Sequence, residues 1–191
     1  MYKMDELVIA NRSFRAFDES TPITEETMTE LVDLARRGSS GKNLQPLRYR
    51  VLSAPEELAK MLANCRFAPS LGKPLPPEGQ KPTGFILIFT DSEAQSPEKL
   101  ALKDAGIAAA TILFAATERG FGGCMLGSFD PGQLNADFGI PGRYTPVLAI
   151  ALGKPAETVR LTDPRDGSLH YFRDEAGVHY VPKHTLKEVL I

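Results

Sequence analysis

The stretch GFILIFTD, residues 84–91, decides the fold class of this chain. Five consecutive apolar residues, Phe85 to Phe89, are typical of a strand that is covered on both faces. A cap at Ser96 followed by a proline predicts the start of a helix, which a glycine ends at Gly120. The middle of that helix is rich in alanine and nearly free of charge, which predicts burial on most sides. We therefore expect a central strand beside a long, central, buried helix.

Further helices and strands are predicted on both sides of this pair from apolar periodicity and capping residues. The helices are expected at 24–38, 53–62 and 186–190, with a further short helix that begins at Asp130-Pro131. The strands are expected at 47–53, 122–129 and 145–153, with two short extended pieces within 169–183. Helices and strands do not alternate strictly, so the pattern favours an α+β fold over a doubly wound one. We expect one domain over residues 1–191, with helices flanking a mixed β-sheet and an extended C-terminal segment.

A proline-rich segment interrupts the pattern at 67–83. Five prolines in 17 residues predict a long loop there. Loops of this length within a compact domain are often lids or partner-contacting segments, and an ordinary surface excursion is an equal alternative.

The bulk composition excludes several classes of function. A net charge of −2 argues against a general nucleic-acid binder, and no apolar run approaches the roughly 20 residues that span a bilayer. The N-terminus does not resemble a signal peptide, so a soluble, cytoplasmic protein is expected. Two cysteines are too few for a disulfide framework or a CxxC metal site, so both are interpreted as buried thiols and no metal is expected.

Two polar motifs and a C-terminal cation are the candidate functional groups. NRSFRAF (11–17) places Arg12, Ser13 and Arg15 close together, a set that suits a phosphate or, alternatively, forms a solvated basic face. SSGKNLQP (39–46) supplies amides that suit the edge of a heterocycle, although such residues are also common in turns. PKH (182–184) adds a cation near the C-terminus.

No set of catalytic side chains stands out. The three histidines all lie in the last 22 residues, and no serine–histidine–aspartate set, carboxylate pair or metal-ligand spacing is evident. Asp104 lies within the apolar helix and is expected to have a structural hydrogen-bond partner, since a buried carboxylate needs one. Cys124 either approaches a ligand or is a buried structural thiol, and the second reading is favoured.

Taken in order, these motifs resemble the FMN-dependent nitroreductase family, specifically its short bacterial members. The resemblance rests on NRSFRAF, SSGKNLQPL about 25 residues later, the alanine-rich helix running into GFGGCMLGSF, and a C-terminal VPK, and it covers nearly the whole chain. It implies a homodimer of α+β subunits with FMN at the subunit interface. It also implies NADH or NADPH as reductant and a small-molecule electron acceptor such as a nitroaromatic compound or a quinone.

The resemblance also assigns roles to residues, which we state as expectations. Arg12, Ser13 and Arg15 would contact the flavin phosphate and the ribityl or pyrimidine oxygens, and Lys183 would lie near the phosphate. The second motif would reach a flavin held mainly by the other subunit, and its matching residues are Ser39, Ser40, Asn43 and Gln45. The backbone of Gly127 and Ser128 would approach the flavin N5 edge.

The chain departs from the family pattern at both ends of this set. Asn11 stands where many relatives carry arginine, and His184 follows Lys183 where an arginine is common. Both are retained as candidate cofactor contacts, and an ordinary surface position is the equal alternative for His184.

With FMN carrying the chemistry, no catalytic side chain is expected. The alternatives are an FMN-binding storage or sensing module without turnover, and a flavin enzyme of the same fold that reduces enones, dehalogenates or fragments flavin.

Overall fold

The computed structural model describes residues 2–68 and 74–191, and a five-stranded sheet forms its centre. The long strand β5 (Tyr144–Pro155) pairs on one side with β3 (Gly84–Asp91), which pairs in turn with β2 (Leu47–Leu52). On its other side β5 pairs with β4 (Gly122–Leu126). The short strand β1 (Phe17–Asp18) pairs with the end of β5, at Lys154 and Pro155. These four pairings are all antiparallel.

The described residues also form α-helices that cover both faces of this sheet. They are α1 (Met4–Ala10), α2 (Glu25–Ala35), α3 (Pro55–Asn64), α4 (Glu98–Glu118), α5 (Pro131–Phe138) and α6 (Leu186–Val189). Side chains alternate along β3: Ile86 and Ile88 pack with α2 and α4, whereas Phe85 and Leu87 pack with α3 and α5. The predicted α+β class is therefore confirmed, with the continuous apolar run of β3 buried on both faces.

Helix α4 is the predicted long central helix, and it leaves one apolar face uncovered. Its alanines and Ile112 are buried against α2 and the sheet, but Leu102 and Ile107 are 47% and 42% exposed. Among the described residues, α4 is the helix with the length and apolar composition of a membrane span, and 56% of that stretch is buried inside the protein. Burial of this kind is what a core helix shows as well.

The start of α4 differs from the prediction. The cap residue is Pro97, with extended backbone, and the hydroxyl of Ser96 is buried without a hydrogen-bond partner among the described residues. The expectation that Ser96 caps the helix is therefore wrong. The cap of α5 is Asp130, whose side chain accepts a hydrogen bond from Gln133 N at 2.9 Å.

A second, smaller sheet forms the extended C-terminal segment. Strand β8 (His179–Pro182) lies between β6 (Val159–Thr162), with which it is parallel, and β7 (Phe172–Arg173), with which it is antiparallel. The sheet flanked by helices was expected to be mixed, but its described pairings are antiparallel. A parallel pairing occurs in the small sheet instead, between β6 and β8.

The proline-rich loop is described only in part. Residues 69–73 of the predicted loop 67–83 lie outside the described residues. Its second half lies beside β1, because the Gln80 carbonyl accepts from Phe17 N at 3.0 Å and Lys81 N donates to Glu19 at 2.6 Å.

Candidate functional site

A cavity of about 390 Å³ brings the two ends of the chain together. We call it the arginine cavity. Its polar wall contains the residues of the first motif and the predicted C-terminal cation, namely Asn11, Arg12, Ser13, Arg15 and Lys183. The remaining wall comes from α4, β4 and the small sheet, and consists of Leu113, Met125, Val159, Tyr171, His179 and Val181. The structure therefore brings these five residues to one cavity, and their contacts with a cofactor stay predictions.

Two glycines at the start of β4 allow the first motif to lie against the sheet. Phe14 N donates to the Gly123 carbonyl at 3.0 Å, and Ser13 forms an isolated parallel bridge with the same residue. A Cβ atom at Gly123 would come within 2.3 Å of the Ala151 carbonyl oxygen, and one at Gly122 would come within 2.6 Å of the Phe14 ring. Both contacts are shorter than van der Waals distance, so a side chain at Gly122 would push Phe14 of the motif away from β4, and one at Gly123 would push β4 away from its partner strand β5.

Glu157 holds the backbone of the first motif in place. Its carboxylate accepts hydrogen bonds from Arg15 N and from Ala16 N, the latter at 3.1 Å, and pairs with the guanidinium of Arg173. The Arg15 guanidinium lies 5.6 Å from the centre of the Tyr171 ring. The carboxylate therefore fixes the backbone of Arg15, whose side chain contributes to the wall of the cavity.

Several buried nitrogens at the arginine cavity lack a partner. Arg12 Nε, Arg15 Nε and both ring nitrogens of His179 are buried and have no hydrogen-bond partner among the described residues. Burial lowers the pKa of Arg12, but an arginine side chain stays protonated in proteins. A set of buried, unsatisfied donors is unusual and calls for a ligand with acceptor atoms. An anion such as phosphate meets that requirement, so the residues present fit the phosphate end of a nucleotide cofactor.

His179 was missed by the sequence analysis. It is only 1% exposed and is the first residue of β8. The available signal was the strand period of two, which places His179 and Val181 on the same side as the predicted site residue Lys183. Burial lowers the pKa of His179, and the neighbouring charges of Arg15 and Arg173 lower it further.

The second motif lines a different cavity, which we call the loop cavity. It measures about 350 Å³ and its wall includes Ser39, Ser40 and Gln45 together with Tyr49 of β2 and Asp104 of α4. Burial, with a smaller contribution from Asp104, raises the pKa of Tyr49 to about 12, so its phenol stays protonated at neutral pH.

Asp104 anchors the second motif to α4. It is 4% exposed and accepts hydrogen bonds from Ser40 Oγ at 2.7 Å and from Gly41 N at 2.9 Å. The Ser40 hydroxyl in turn accepts from Gln45 N at 3.0 Å. The expectation of a structural hydrogen bond at Asp104 is therefore confirmed.

The backbone of the second motif adopts an unusual conformation. Lys42, Asn43 and Gln45 have φ angles of 53°, 54° and 48°, in the left-handed region that non-glycine residues seldom occupy. Gln45 Nε2 donates to Asn43 Oδ1 at 3.1 Å, so the two amides are linked at the tip of the loop. Strained residues of this kind persist where surrounding contacts fix them, and they are concentrated at ligand sites.

The two motifs do not meet within the chain. Asp104 and Leu113, which line the loop cavity and the arginine cavity respectively, both belong to α4 and are separated by nine residues of that helix. At a rise of 1.5 Å per residue the separation is roughly 14 Å along the helix axis. One chain therefore presents two partial sites along α4.

The remaining predicted residues lie outside both cavities. Gly127 and Ser128 follow the end of β4 and are exposed, and the Ser128 carbonyl accepts from Arg66 N at 3.0 Å. His184 is exposed and its Nδ1 lies 3.7 Å from Glu188 Oε2 in α6. Contacts of these three residues with a cofactor stay predictions. No cluster of metal-binding side chains occurs in the described parts of the chain.

Both cysteines belong to the hydrophobic core between the five-stranded sheet and the helices α3 and α5. Burial raises the pKa of Cys124, and it raises that of Cys65 to about 12. Two thiols that stay protonated at neutral pH fit the expected structural role.

Comparison with known proteins gives one consistent result. The model of the Nitroreductase family matches residues 9–154, which is more than half of the chain. YodC of Bacillus subtilis (strain 168), named as an NAD(P)H nitroreductase, is 28% identical over 173 residues, covering 76% of this chain and 86% of YodC.

Solved structures share the fold. A nitroreductase family protein from Streptococcus pneumoniae TIGR4 superposes with a TM-score of 0.73 at 16% identity and covers 99% of each chain. A protein from Exiguobacterium sibiricum 255-15, solved in complex with FMN, superposes with a TM-score of 0.69 at 20% identity, over 82% of this chain and 90% of its own. At these identities the likeness establishes the fold alone.

Proposed function

The chain belongs to the nitroreductase family, and from that membership we propose that it is an FMN-dependent enzyme that uses NADH or NADPH to reduce a small, electron-poor acceptor. The observation that carries the proposal is the set of buried, unpartnered nitrogens of Arg12, Arg15 and His179 at the arginine cavity. These groups suit the single terminal phosphate of FMN. The cofactor that accompanies the related E. sibiricum protein supports the same assignment.

The chain's own residues would bind and orient the cofactor. FMN, when bound, supplies the hydride chemistry, so the protein needs no acid–base pair of its own. The guanidinium groups of Arg12 and Arg15 match phosphate oxygens in geometry and charge. Glu157 holds the backbone of Arg15 and the side chain of Arg173, so the cationic wall is fixed before a ligand arrives. Preorganisation of this kind lowers the entropic cost of binding.

We propose further that the working form is a homodimer in which the loop cavity of one subunit completes the arginine cavity of its partner. Two observations support this: one subunit holds the two motifs apart, and α4, which both cavities share, exposes Leu102 and Ile107. Both ends of the chain also expose apolar side chains, which are Met4, Val8, Ile9, Leu186, Val189 and Leu190. Apolar faces of this extent are typical of obligate interfaces.

The cofactor assignment is tested first. The purified protein should be yellow or should take up FMN when the cofactor is added, and the heat-released chromophore should be FMN and not FAD by chromatography. Anaerobic NADH or NADPH should then bleach the bound flavin. A protein that cannot be reconstituted with FMN contradicts the proposal, and bound flavin that neither nucleotide reduces would make the chain a binding module without turnover.

The acceptor and the assembly need separate measurements. A panel of nitroaromatic, quinone and enone acceptors, each added to the reduced enzyme, ranks the substrate classes by rate of flavin reoxidation. Light scattering at micromolar concentration should give twice the chain mass of 20.8 kDa. A monomer that binds FMN with full affinity would contradict the shared site.

A further inference from the structure

The His179 side chain is buried in an unsatisfied state. It is 1% exposed, and neither Nδ1 nor Nε2 has a hydrogen-bond partner among residues 2–68 and 74–191. Its backbone is well fixed, because His179 N donates to the Thr158 carbonyl at 2.9 Å and the residue pairs with Val159 and Arg173 on the two neighbouring strands. A buried imidazole normally satisfies at least one of its nitrogens, so the unpaired ring requires an explanation.

The surroundings of the ring are strongly cationic. The arginine cavity that His179 lines also contains Arg12, Arg15 and Lys183. Arg173 lies opposite His179 on β7 and is paired with the carboxylate of Glu157, which precedes β6. On the remaining side the Tyr171 ring meets the imidazole edge to face, with 5.4 Å between the ring centres. Burial lowers the pKa of the ring, the charges of Arg15 and Arg173 lower it further, and Glu157 opposes them, so the ring is neutral at pH 7.

A purely structural role does not account for this arrangement. A histidine with a purely structural role would be expected to form a hydrogen bond with a backbone carbonyl or a carboxylate. The nearby Arg173, for example, donates to the carboxylate of Glu157. Instead, the ring lines the same cavity as the unpaired Nε atoms of Arg12 and Arg15. The unsatisfied groups of three separate residues thus belong to one cavity, and a shared anionic ligand would satisfy all of them.

We propose that His179 is a phosphate-binding residue of this site, which donates a ring N–H to the terminal phosphate of the cofactor and takes up a proton as the phosphate binds. The inference rests on the proposed function, since it requires that FMN occupies the arginine cavity. It adds a residue of this chain that the two motifs do not contain, and it makes cofactor affinity depend on pH.

The sign of that dependence follows from linkage. The pKa of His179 lies below its usual value of about 6.5 without ligand, and a phosphate dianion beside the ring raises it. Binding is therefore tightened by His179 as the pH falls through the pKa of the complex, and this gain is complete below the pKa of the free protein. The second ionisation of the phosphate, with a pKa near 6, acts in the opposite direction because the monoanion binds less tightly.

A variant of His179 separates the effect of histidine protonation on FMN affinity from the effect of phosphate ionisation. FMN and riboflavin dissociation constants are measured between pH 5.5 and 8 for the full-length protein and for His179→Gln, with the exposed His170→Gln as matched control. Glutamine can still donate an amide N–H but cannot become a cation, and loss of the charge-assisted part of the hydrogen bond corresponds to about a 10-fold weakening. We expect that loss for FMN in His179→Gln at pH 6, a smaller loss at pH 8, no comparable change with riboflavin, and no change in His170→Gln.

Proton uptake gives a second readout that is independent of turnover. Calorimetric titration with FMN in buffers of different ionisation enthalpy should show more protons taken up by the wild type than by His179→Gln. If the variant does not fold, nitrogen-15 spectra of the wild-type histidine rings provide the readout, with the His179 signals moving on addition of FMN and not of riboflavin.

The outcomes distinguish the two proposals. A wild type that binds no FMN overturns the proposed function and this inference with it. Equal FMN affinity and equal proton uptake in the wild type and His179→Gln overturn the inference and leave the function standing. An equal loss for FMN and riboflavin assigns His179 to packing of the cavity wall and also overturns it.

Discussion

Replacement of Asp104 by alanine should lower the free energy of unfolding of the domain, because Asp104 anchors the second motif to α4. The carboxylate is 4% exposed and accepts from Ser40 Oγ at 2.7 Å and Gly41 N at 2.9 Å. Each hydrogen bond to a charged group is worth about 1.5–3 kcal/mol. Two such bonds, less the cost of desolvating the carboxylate, give an expected loss of about 3–4 kcal/mol in the free energy of unfolding. This is a large part of the roughly 5–15 kcal/mol that holds a domain together.

Asp104→Asn refines the prediction. The amide oxygen can still accept from Gly41 N, but the amide nitrogen cannot accept the Ser40 hydroxyl proton, so about half of the loss is expected. Urea unfolding followed by circular dichroism measures both variants under one set of conditions. The matched control is Asp33→Ala, because the partners of Asp33, Arg36 and Arg37, are exposed just after the end of α2 and the loss should stay below about 1 kcal/mol. If Asp104→Ala costs no more than Asp33→Ala, the anchoring role assigned to Asp104 is refuted.

Three other predictions concern the site and the core. Arg12→Ala should weaken FMN binding by about 1.5–3 kcal/mol, with Arg12→Lys recovering only part and the exposed Arg160→Ala unchanged; fluorescence titration decides, and unaltered affinity in Arg12→Ala would make that residue a surface charge. Cys65 and Cys124 have raised pKa values, so they should react with a thiol reagent at pH 8 only after urea unfolds the protein, and fast labelling of the native form would contradict their burial. Steady-state kinetics should be ping-pong, with parallel double-reciprocal lines, because one open pocket must serve reductant and acceptor in turn; intersecting lines, with flavin reduction requiring bound acceptor, would reject that mechanism.

Most of the secondary structure could be predicted because it depends on local pattern. The apolar run of β3 and the spacing of apolar residues along α2 and α4 identified elements that the structure contains. The cap of α4 could not be placed, since the fixed φ of proline suits both a cap and a first helical position. The uncovered face of α4 was not predictable either, because its alanine-rich sequence looks apolar all round.

The candidate site was predictable where its residues are neighbours in sequence or match a family motif. Arg12, Ser13 and Arg15 form one short motif, whereas Glu157, which fixes that motif, is 142 residues away from Arg15. Contacts of this range depend on the tertiary fold, and no local pattern marks them. The same reason explains why the separation of the motifs into two cavities could not be read from their spacing.

The arginine cavity also has a consequence for synthesis of the protein. Its cations come from both ends of the chain, at Arg12 and Lys183. At about 5–20 residues per second, a ribosome needs roughly 10 to 35 seconds to travel from the first to the second. The small sheet that places His179 and Lys183 also forms only after β8 has been synthesised, when this strand pairs with β6 and β7. A cofactor that both cations hold, as proposed, can therefore bind only after Lys183 has been made, so it cannot guide the folding of the segments synthesised before it.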